Sequence, residues 1–551
     1  MGFASDFAAA IALAHAGEWE AAFIRMTEAD ESGAVVDGNG LREYATAAYM
    51  TGREDVFLDL MGRAFDAYTD AGAPLGAART AFWIGLTLIF RGEHGRAGGW
   101  LARSSHLVEK AGKDCPEAGY LLLPRVEMSF SAGDNKAAAE FAVRALAVGE
   151  KHGDEDLSAL ARHLVGRAYL ALGDTQQGLS ALDESMVATT EGRLSPIVTG
   201  LIYCSVIEAC HRFQIIQRAS EWTAALSSWC SRQPGLVAFT GRCLIHRSEI
   251  MMFDGNWPEA EVEAGAAIRR LSEGTGARHA GPAYYQLGEL HRLRGNYPAA
   301  DESYRAASAL GFDPQPGLAL MRLRQGAGQS AAAAIRRALA AADAPTKRMR
   351  LLGAAFEIAL GLKQLNEAEA LRDEMQELAE IYPSEALNAS LAEMQGDLAA
   401  QHLEAELAAK WYAEVAELWR ELECPYRLAR VRLRSARNCA ALGDVDGALA
   451  EAQAASAGFA SLGADPERRD AEAFIRDKIY GRDAILTRRQ TEVLGLVAKG
   501  LTNREIAERL ELSERTIDRH VSDILTRIDA PTRAAAAAYA VSSGLVENPT
   551  G

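Results

Sequence analysis

The residues of this chain best suited to chemistry lie close to its C-terminus. Arg515, Asp518, Arg519, Ser522 and Thr526 recur at spacings of three and four, so a helix would stack them on one face. Ile517, Val521, Ile524, Leu525 and Ile528 follow the same period and form the opposite, apolar face. Two guanidinium forks in the N-terminal half of a helix suit phosphate oxygens or the O6 and N7 atoms of guanine. Arg527 adds a third cation in the last turn of that helix.

Three start signals predict the elements that must hold this helix. Thr487 with Gln490, and Thr502 with Glu505, have the spacing of a capping box. Ser513 is a good N-cap by itself. These signals predict helices over 487–499, 503–510 and 514–528, with Gly500 as a left-handed stop and a short turn over 510–513. Val493, Leu494 and Val497 line the first helix, and Ile506 and Leu510 line the second. The second and third helices start with free N–H groups that favour phosphate. There Thr502, Asn503, Ser513 and Thr516 add side-chain contacts.

The runs Leu486-Thr487-Arg488-Arg489-Gln490, Gly500-Leu501-Thr502-Asn503-Arg504-Glu505-Ile506-Ala507 and Leu512-Ser513-Glu514-Arg515-Thr516-Ile517 resemble the C-terminal helix-turn-helix of LuxR-type regulators. The resemblance covers roughly 485–546 and implies a DNA reader whose helix 514–528 enters the major groove. It also implies a fourth helix, here 532–545, that pairs two readers on inverted half-sites. Two positions depart from the family. Asp518 stands where many members have Lys; it repels phosphate, but can accept from cytosine N4 or orient Arg515 and Arg519. Asp529 stands where a Gly is usual, although Asp adopts the left-handed conformation less readily.

Composition constrains the rest. The chain has 551 residues, is 49% hydrophobic and carries a net charge of −17. Over 485–551 the nine Lys and Arg balance the nine Asp and Glu, so the acidic excess lies upstream, away from any duplex. A weakly charged reader favours a homodimer, in which two sites combine. Seven scattered Cys and the lack of a secretory signal point to a reduced, bacterial cytoplasm. The longest apolar run, Ala81–Phe90, is too short for a membrane span.

Residues 1–465 repeat. Small turns recur at Gly17, Gly52, Gly92, Gly133, Gly173, Gly255, Gly295 and Gly443, commonly followed by Asp, Asn or Glu. Weaker turns near Phe213, Gly326, Lys363 and Glu404 fill the gaps. A period near 40 with two helices per unit predicts an all-α solenoid of eleven or twelve units. Tyr284, Leu287, Gly288, Gly295, Tyr297, Ala300, Tyr304 and Ala307 resemble a tetratricopeptide repeat, which implies a concave face built from the first helix of each pair. That face suits a protein, peptide or small-molecule effector; the plainer alternative is a spacer. Trp419, Pro425-Tyr426, Ala429-Arg430, Gly443-Asp444 and Leu462-Gly463-Ala464 resemble the repeats of large ATP-dependent LuxR-type regulators. The nucleotide-binding domain of those proteins has no counterpart here, since no phosphate loop of the G-x-x-x-x-G-K-[ST] kind occurs. The charged stretch 466–484 reads as a connection containing a helix.

The densest polar patch in the array lies at 203–249. Tyr203, His211, Trp222, Trp229, His246 and Arg247 are candidates for a ligand pocket, although aromatics at such spacing more often pack a core. Its four Cys and two His lack zinc spacing, so no metal is expected. No nucleophile, base and orienting group share a local motif, and no cofactor is expected. The sequence therefore points to a transcriptional regulator that binds double-stranded DNA as a dimer and works with RNA polymerase. The competing reading is an adaptor whose C-terminal helices dock on protein.

Overall fold

The computed structural model describes residues 2–33, 37–272, 277–479 and 486–542. Among these, regular structure is helical throughout. No helix is long and apolar enough to cross a membrane. From Gly2 to Leu462 the helices form twelve antiparallel hairpins, at the upper end of the expected number.

Each hairpin turns on one residue with positive φ: Gly17, Gly52, Gly92, Gly133, Gly173, Gln214, Gly255, Gly295, Gly326, Lys363, Leu403 and Gly443. The Gly-Asp and Gly-Asn pairs seen in the sequence work as two-part corners. The Gly takes the left-handed conformation that ends one helix. The next side chain caps the following helix: Asp134 Oδ1 accepts from Ala137 N at 2.9 Å, and Asp174 Oδ1 from Gln177 N at 3.0 Å. The sequence markers near Phe213, Lys363 and Glu404 are weak because the corner residue there is Gln214, Lys363 or Leu403 rather than Gly. In the fourth unit the first half is split into Pro116–Tyr120 and Leu123–Ser131. Pro124, at the start of the second piece, cannot donate to a preceding turn.

The first helices of the pairs are buried on several sides. In Pro74–Phe90 every residue from Ala77 to Leu88 except Arg79 is buried. A helix that is apolar all round needs neighbours all round. Here the array supplies them by winding tightly enough that successive turns touch, about five units apart. Trp19 Nε1 donates to Gln233 Oε1 at 2.8 Å, and Val237 N donates to Met50 O at 2.8 Å. Tyr382 stacks near Phe213 with ring centroids 5.6 Å apart. Trp257 and Tyr426 lie 5.6 Å apart between the seventh and twelfth units. The concave face expected from the sequence is thus largely filled by the protein's own side chains, with cavities left between units.

The stretch read as a connection from 466 begins instead as part of the array. Asp465–Phe474 is a helix that runs on into a π-helical turn, Ile475–Ile479. Ala471 is buried, and Arg324 Nη1 meets Asp470 Oδ2 at 2.6 Å. Residues 480–484, the rest of that connection, lie outside the described residues, as does 485.

Turn-to-turn contact makes a measurable difference between otherwise similar corners. A Cβ at Gly255 would fall 2.6 Å from Pro425 Cγ and 2.7 Å from Leu462 Cδ2, whereas one at Gly133 would meet nothing within 4 Å. Gly133→Ala carries only left-handed strain and should cost about 1–2 kcal/mol. Gly255→Ala adds overpacking and should cost about 2–4 kcal/mol. Denaturant unfolding followed by Trp fluorescence measures both; equal costs would mean that the turns do not bear on each other.

Candidate nucleic-acid interface

Thr487, Thr502 and Ser513 cap the first three C-terminal helices, Arg488–Ala498, Asn503–Leu510 and Glu514–Arg527. Both predicted capping boxes are complete: Gln490 Oε1 accepts from Thr487 N at 3.0 Å, and Glu505 Oε2 from Thr502 N at 2.7 Å. The Glu505 carboxyl is held below its usual range by those bonds to Thr502. Glu511 ends the second helix at φ 54°, a sharp reversal that aims the third helix away from it. Asp529 does take the left-handed conformation, φ 52°, that the family leaves to Gly. The fourth helix spans Arg533–Ser542; the remainder of its predicted range, 543–545, lies outside the described residues.

Val493, Leu494, Val497, Ile506, Ala507, Ile517, Ile524, Ala536 and Ala540 form one buried core. Buried Ile517 and Ile524 fix the rotation of the third helix about its axis. Its other face is exposed: Arg515, Asp518, Arg519, Ser522, Thr526 and Arg527 all face solvent. Among the described residues no ion pair involves Arg515, Arg519 or Arg527, so their guanidinium donors are free for an acidic ligand.

Thr502, Asn503, Ser513, Thr516 and Asp518 have internal partners. Asn503 Nδ2 donates to Asp518 Oδ1 at 2.7 Å, and Asn503 Oδ1 accepts from Arg533 Nη1 at 2.6 Å. Arg533 Nη2 also donates to Leu501 O at 2.6 Å. Asn503 is therefore a brace between three helices, with both ends of its amide engaged. Asp518 turns toward Asn503 instead of orienting Arg515 and Arg519, the role considered from the sequence. Arg533 was not among the residues singled out from the sequence, and it reaches Asp518 only through Asn503. Ser513 Oγ and Thr516 Oγ1 bond each other at 2.6 Å, and Thr502 Oγ1 donates to Glu505 Oε2 at 2.8 Å. Arg489 Nη2 caps the end of the second helix through Leu510 O at 2.9 Å.

The six residues nominated at 203–249 do not form one pocket. The rings of Tyr203 and Trp229 lie 6.0 Å apart, tilted by 37°. Trp229 lines a cavity of about 600 Å³ together with Trp19, Arg42, Arg79, Trp83, Arg193 and Arg232. This cavity lies where the first superhelical turn closes. Arg79 is tied to Glu117 and Asp154, each at 2.8 Å. An isolated Arg in the apolar run 74–90 was the signal available for it. His211 and His246 go elsewhere, against Glu249 and beside a smaller cavity of about 190 Å³ lined also by Tyr285, Gln286 and Arg350. Trp222 packs into the main core, and Arg247 pairs with Glu263 at 2.5 Å. Burial pushes the His211 imidazole down. It also raises the Glu249 carboxyl, but His211, His246 and Gln286 more than offset this and hold it at about 2.

Comparison with known proteins singles out the C-terminal helices. Residues 484–540 match the family model of bacterial regulatory proteins of the luxR family. The chain is 43% identical over 61 residues to the transcriptional regulatory protein LiaR of Bacillus subtilis, covering 11% of this chain and 29% of that one. It is 36% identical over 84 residues to the transcriptional regulatory protein DegU of Brevibacillus brevis, covering 15% and 36% respectively. The matched stretch thus spans well under half of these relatives. Among solved structures, a chain of the APC/C hetero-tetramer Cut9–Hcn1 overlaps 84% of this chain and 94% of its own length at 12% identity and a TM-score of 0.33. Yeast Tom70 overlaps 86% and 96% at 11% identity and a TM-score of 0.32. The C-terminal unit is a luxR-family helix-turn-helix domain.

Cutting the brace should loosen the domain. In Asn503→Ala the amides of 514–527 are expected to exchange about five- to thirtyfold faster, equivalent to about 1–2 kcal/mol. Hydrogen exchange by mass spectrometry on the full chain reads this. Unchanged protection would show that Arg533 and Asp518 do not depend on the bridge.

Proposed function

We propose that this chain is a sequence-specific, DNA-binding transcriptional regulator of the bacterial cytoplasm. The observation that carries the reading is the exposed face of Glu514–Arg527, where Arg515 and Arg519 have no ion-pair partner among the described residues. The helix lies in the major groove with Arg515 and Arg519 toward base edges or phosphates and Ser522 alongside. Arg527, near the helix end, contacts the backbone. The backbone amides of Asn503 and Arg504, and of Glu514 and Arg515, face phosphates, with the Thr502, Ser513 and Thr516 hydroxyls beside them. Two copies bind inverted half-sites, because a domain with balanced charge gains little from counterion release alone. Promoter-bound dimers work with RNA polymerase.

The helical array serves as the sensor. Its filled interior supports a small ligand over an extended peptide, and the cavity of about 600 Å³ has the size for one. Arg42 and Arg232 in its wall, without ion pairs among the described residues, suit an anionic group.

Selection from random duplex by the full-length chain gives the site on which the residues are then tested. Arg519→Ala should lose about 1–3 kcal/mol and relax specificity at one base pair. Arg527→Ala should weaken all sequences alike and lower the slope of log affinity against log salt by about 1. If the Arg515→Ala/Arg519→Ala double variant keeps full affinity, the reading face is wrong. If the native chain enriches no duplex and captures a protein partner regardless of salt, the domain is an adaptor.

A further inference from the structure

We propose that His211, His246 and Glu249 form a binding site for a divalent transition-metal ion inside the helical array. The three residues come from the first helices of adjoining units. His211 ends Pro196–Arg212, and His246 and Glu249 lie one turn apart on Thr240–Phe253. Their donor atoms all fall within 4.8 Å of one another. Glu249 Oε2 lies 3.7 Å from His211 Nδ1 and 3.4 Å from His246 Nδ1. Two donors bound tetrahedrally to zinc at about 2.0–2.1 Å lie about 3.3–3.5 Å apart, so these separations are close to those of a loaded site. Closing the widest of them takes a shift of about an ångström.

The chemistry of the surroundings agrees. Two imidazoles and a carboxylate are a donor set for zinc and its neighbours in the first transition row. Each His turns Nδ1 toward Glu249 and so offers that atom as the ligand, while its Nε2, buried without a hydrogen-bond partner among the described residues, stays outside the donor set. The carboxylate of Glu249 has no Lys or Arg partner among the described residues, and only Gln286 Nε2 donates to its other oxygen, at 3.0 Å. Gln286 belongs to the next unit's first helix and acts as a positioning residue, in the manner of an outer-shell partner. Three protein donors leave one position open, toward the cavity of about 190 Å³ where Arg350 lies. A bound ion would tie the sixth and seventh units together and leave a place for an anionic ligand.

The spacing argument against metal in the sequence concerned Cys pairs and residues on one helix. It does not reach donors contributed by separate units. The assignment is independent of DNA recognition, and the test needs no promoter. Untagged, full-length chain is stripped of metal with a chelator and titrated with Zn²⁺ against a chromophoric competitor. One equivalent per chain is expected, weakened at least about 100-fold by His246→Ala and by Glu249→Gln, and about 10–100-fold by Gln286→Ala. Because a buried substitution can unfold the array, Co²⁺ added to the native chain provides a second readout. It should give the intense visible bands of a tetrahedral ion without a thiolate charge-transfer band. No bound equivalent, affinity unchanged in folded variants, or a thiolate band that moves the ion to the cysteines would each overturn the proposal.

Discussion

A left-handed residue between two helices is the corner on which the rest of the molecule depends. It stops one helix and sets the next antiparallel to it, and at Asp134, Asp174, Asn296 and Asp444 the following side chain also caps the next helix. Because corners follow one another at 31–41 residues, each hairpin stacks on the last with nearly the same rotation. That rotation accumulates until corners of one superhelical turn meet helices of the next. Gly255 against Pro425 and Leu462, and Gly295 against Pro466, leave no room for a side chain. The same glycines therefore serve twice, once for backbone conformation and once for close approach.

Winding this tight turns the inner face from a groove into an interior, and the polar residues on it must find partners there. Glu357 meets Arg430 at 2.6 Å, and Glu393 meets Arg427 at 2.9 Å and Arg434 at 3.1 Å. Burial raises the Glu357 carboxyl, but Arg430 and Arg434 outweigh this and leave it at about 2. Such pairs add little net stability, yet losing one partner would strand the other in the interior. They fix which first helices face each other, as Asn503 does on a smaller scale in the C-terminal domain. The trio of His211, His246 and Glu249 differs in having two imidazole nitrogens left over and no full cation beside its carboxylate.

What the sequence could show follows from distance along the chain. Hairpin corners, capping boxes and the apolar face of Glu514–Arg527 are encoded within four residues, and all were legible. Leu403 was a weaker marker only because a left-handed Leu carries no compositional sign. Residues that meet across units were not legible. Glu249 reaches His211 from 38 positions away, and Tyr382 reaches Phe213 from 169. The Asn503 brace joins three helices, so Asp518 read alone as a departure from its family, while its partner Arg533 read as the start of an Ala-rich helix. Tight winding was the largest omission. It follows from how hairpins stack, which no single repeat records.

The same closure limits how a signal can act. An effector shifts an equilibrium only by the difference in its affinity for the two states. A ligand held by one helix has no such difference, since that helix stays intact when the array flexes. The two cavities are of another kind, because each takes its wall from several units and each changes shape if the units rotate. The helix Asp465–Phe474 is held by Arg324 and lies against Gly295. With the π-helical turn that continues it, it is the last described element before the C-terminal helix-turn-helix domain, so a rotation that moves the eighth and ninth units moves it as well. Contacts between superhelical turns thus join the eighth and ninth units to the last helix of the array.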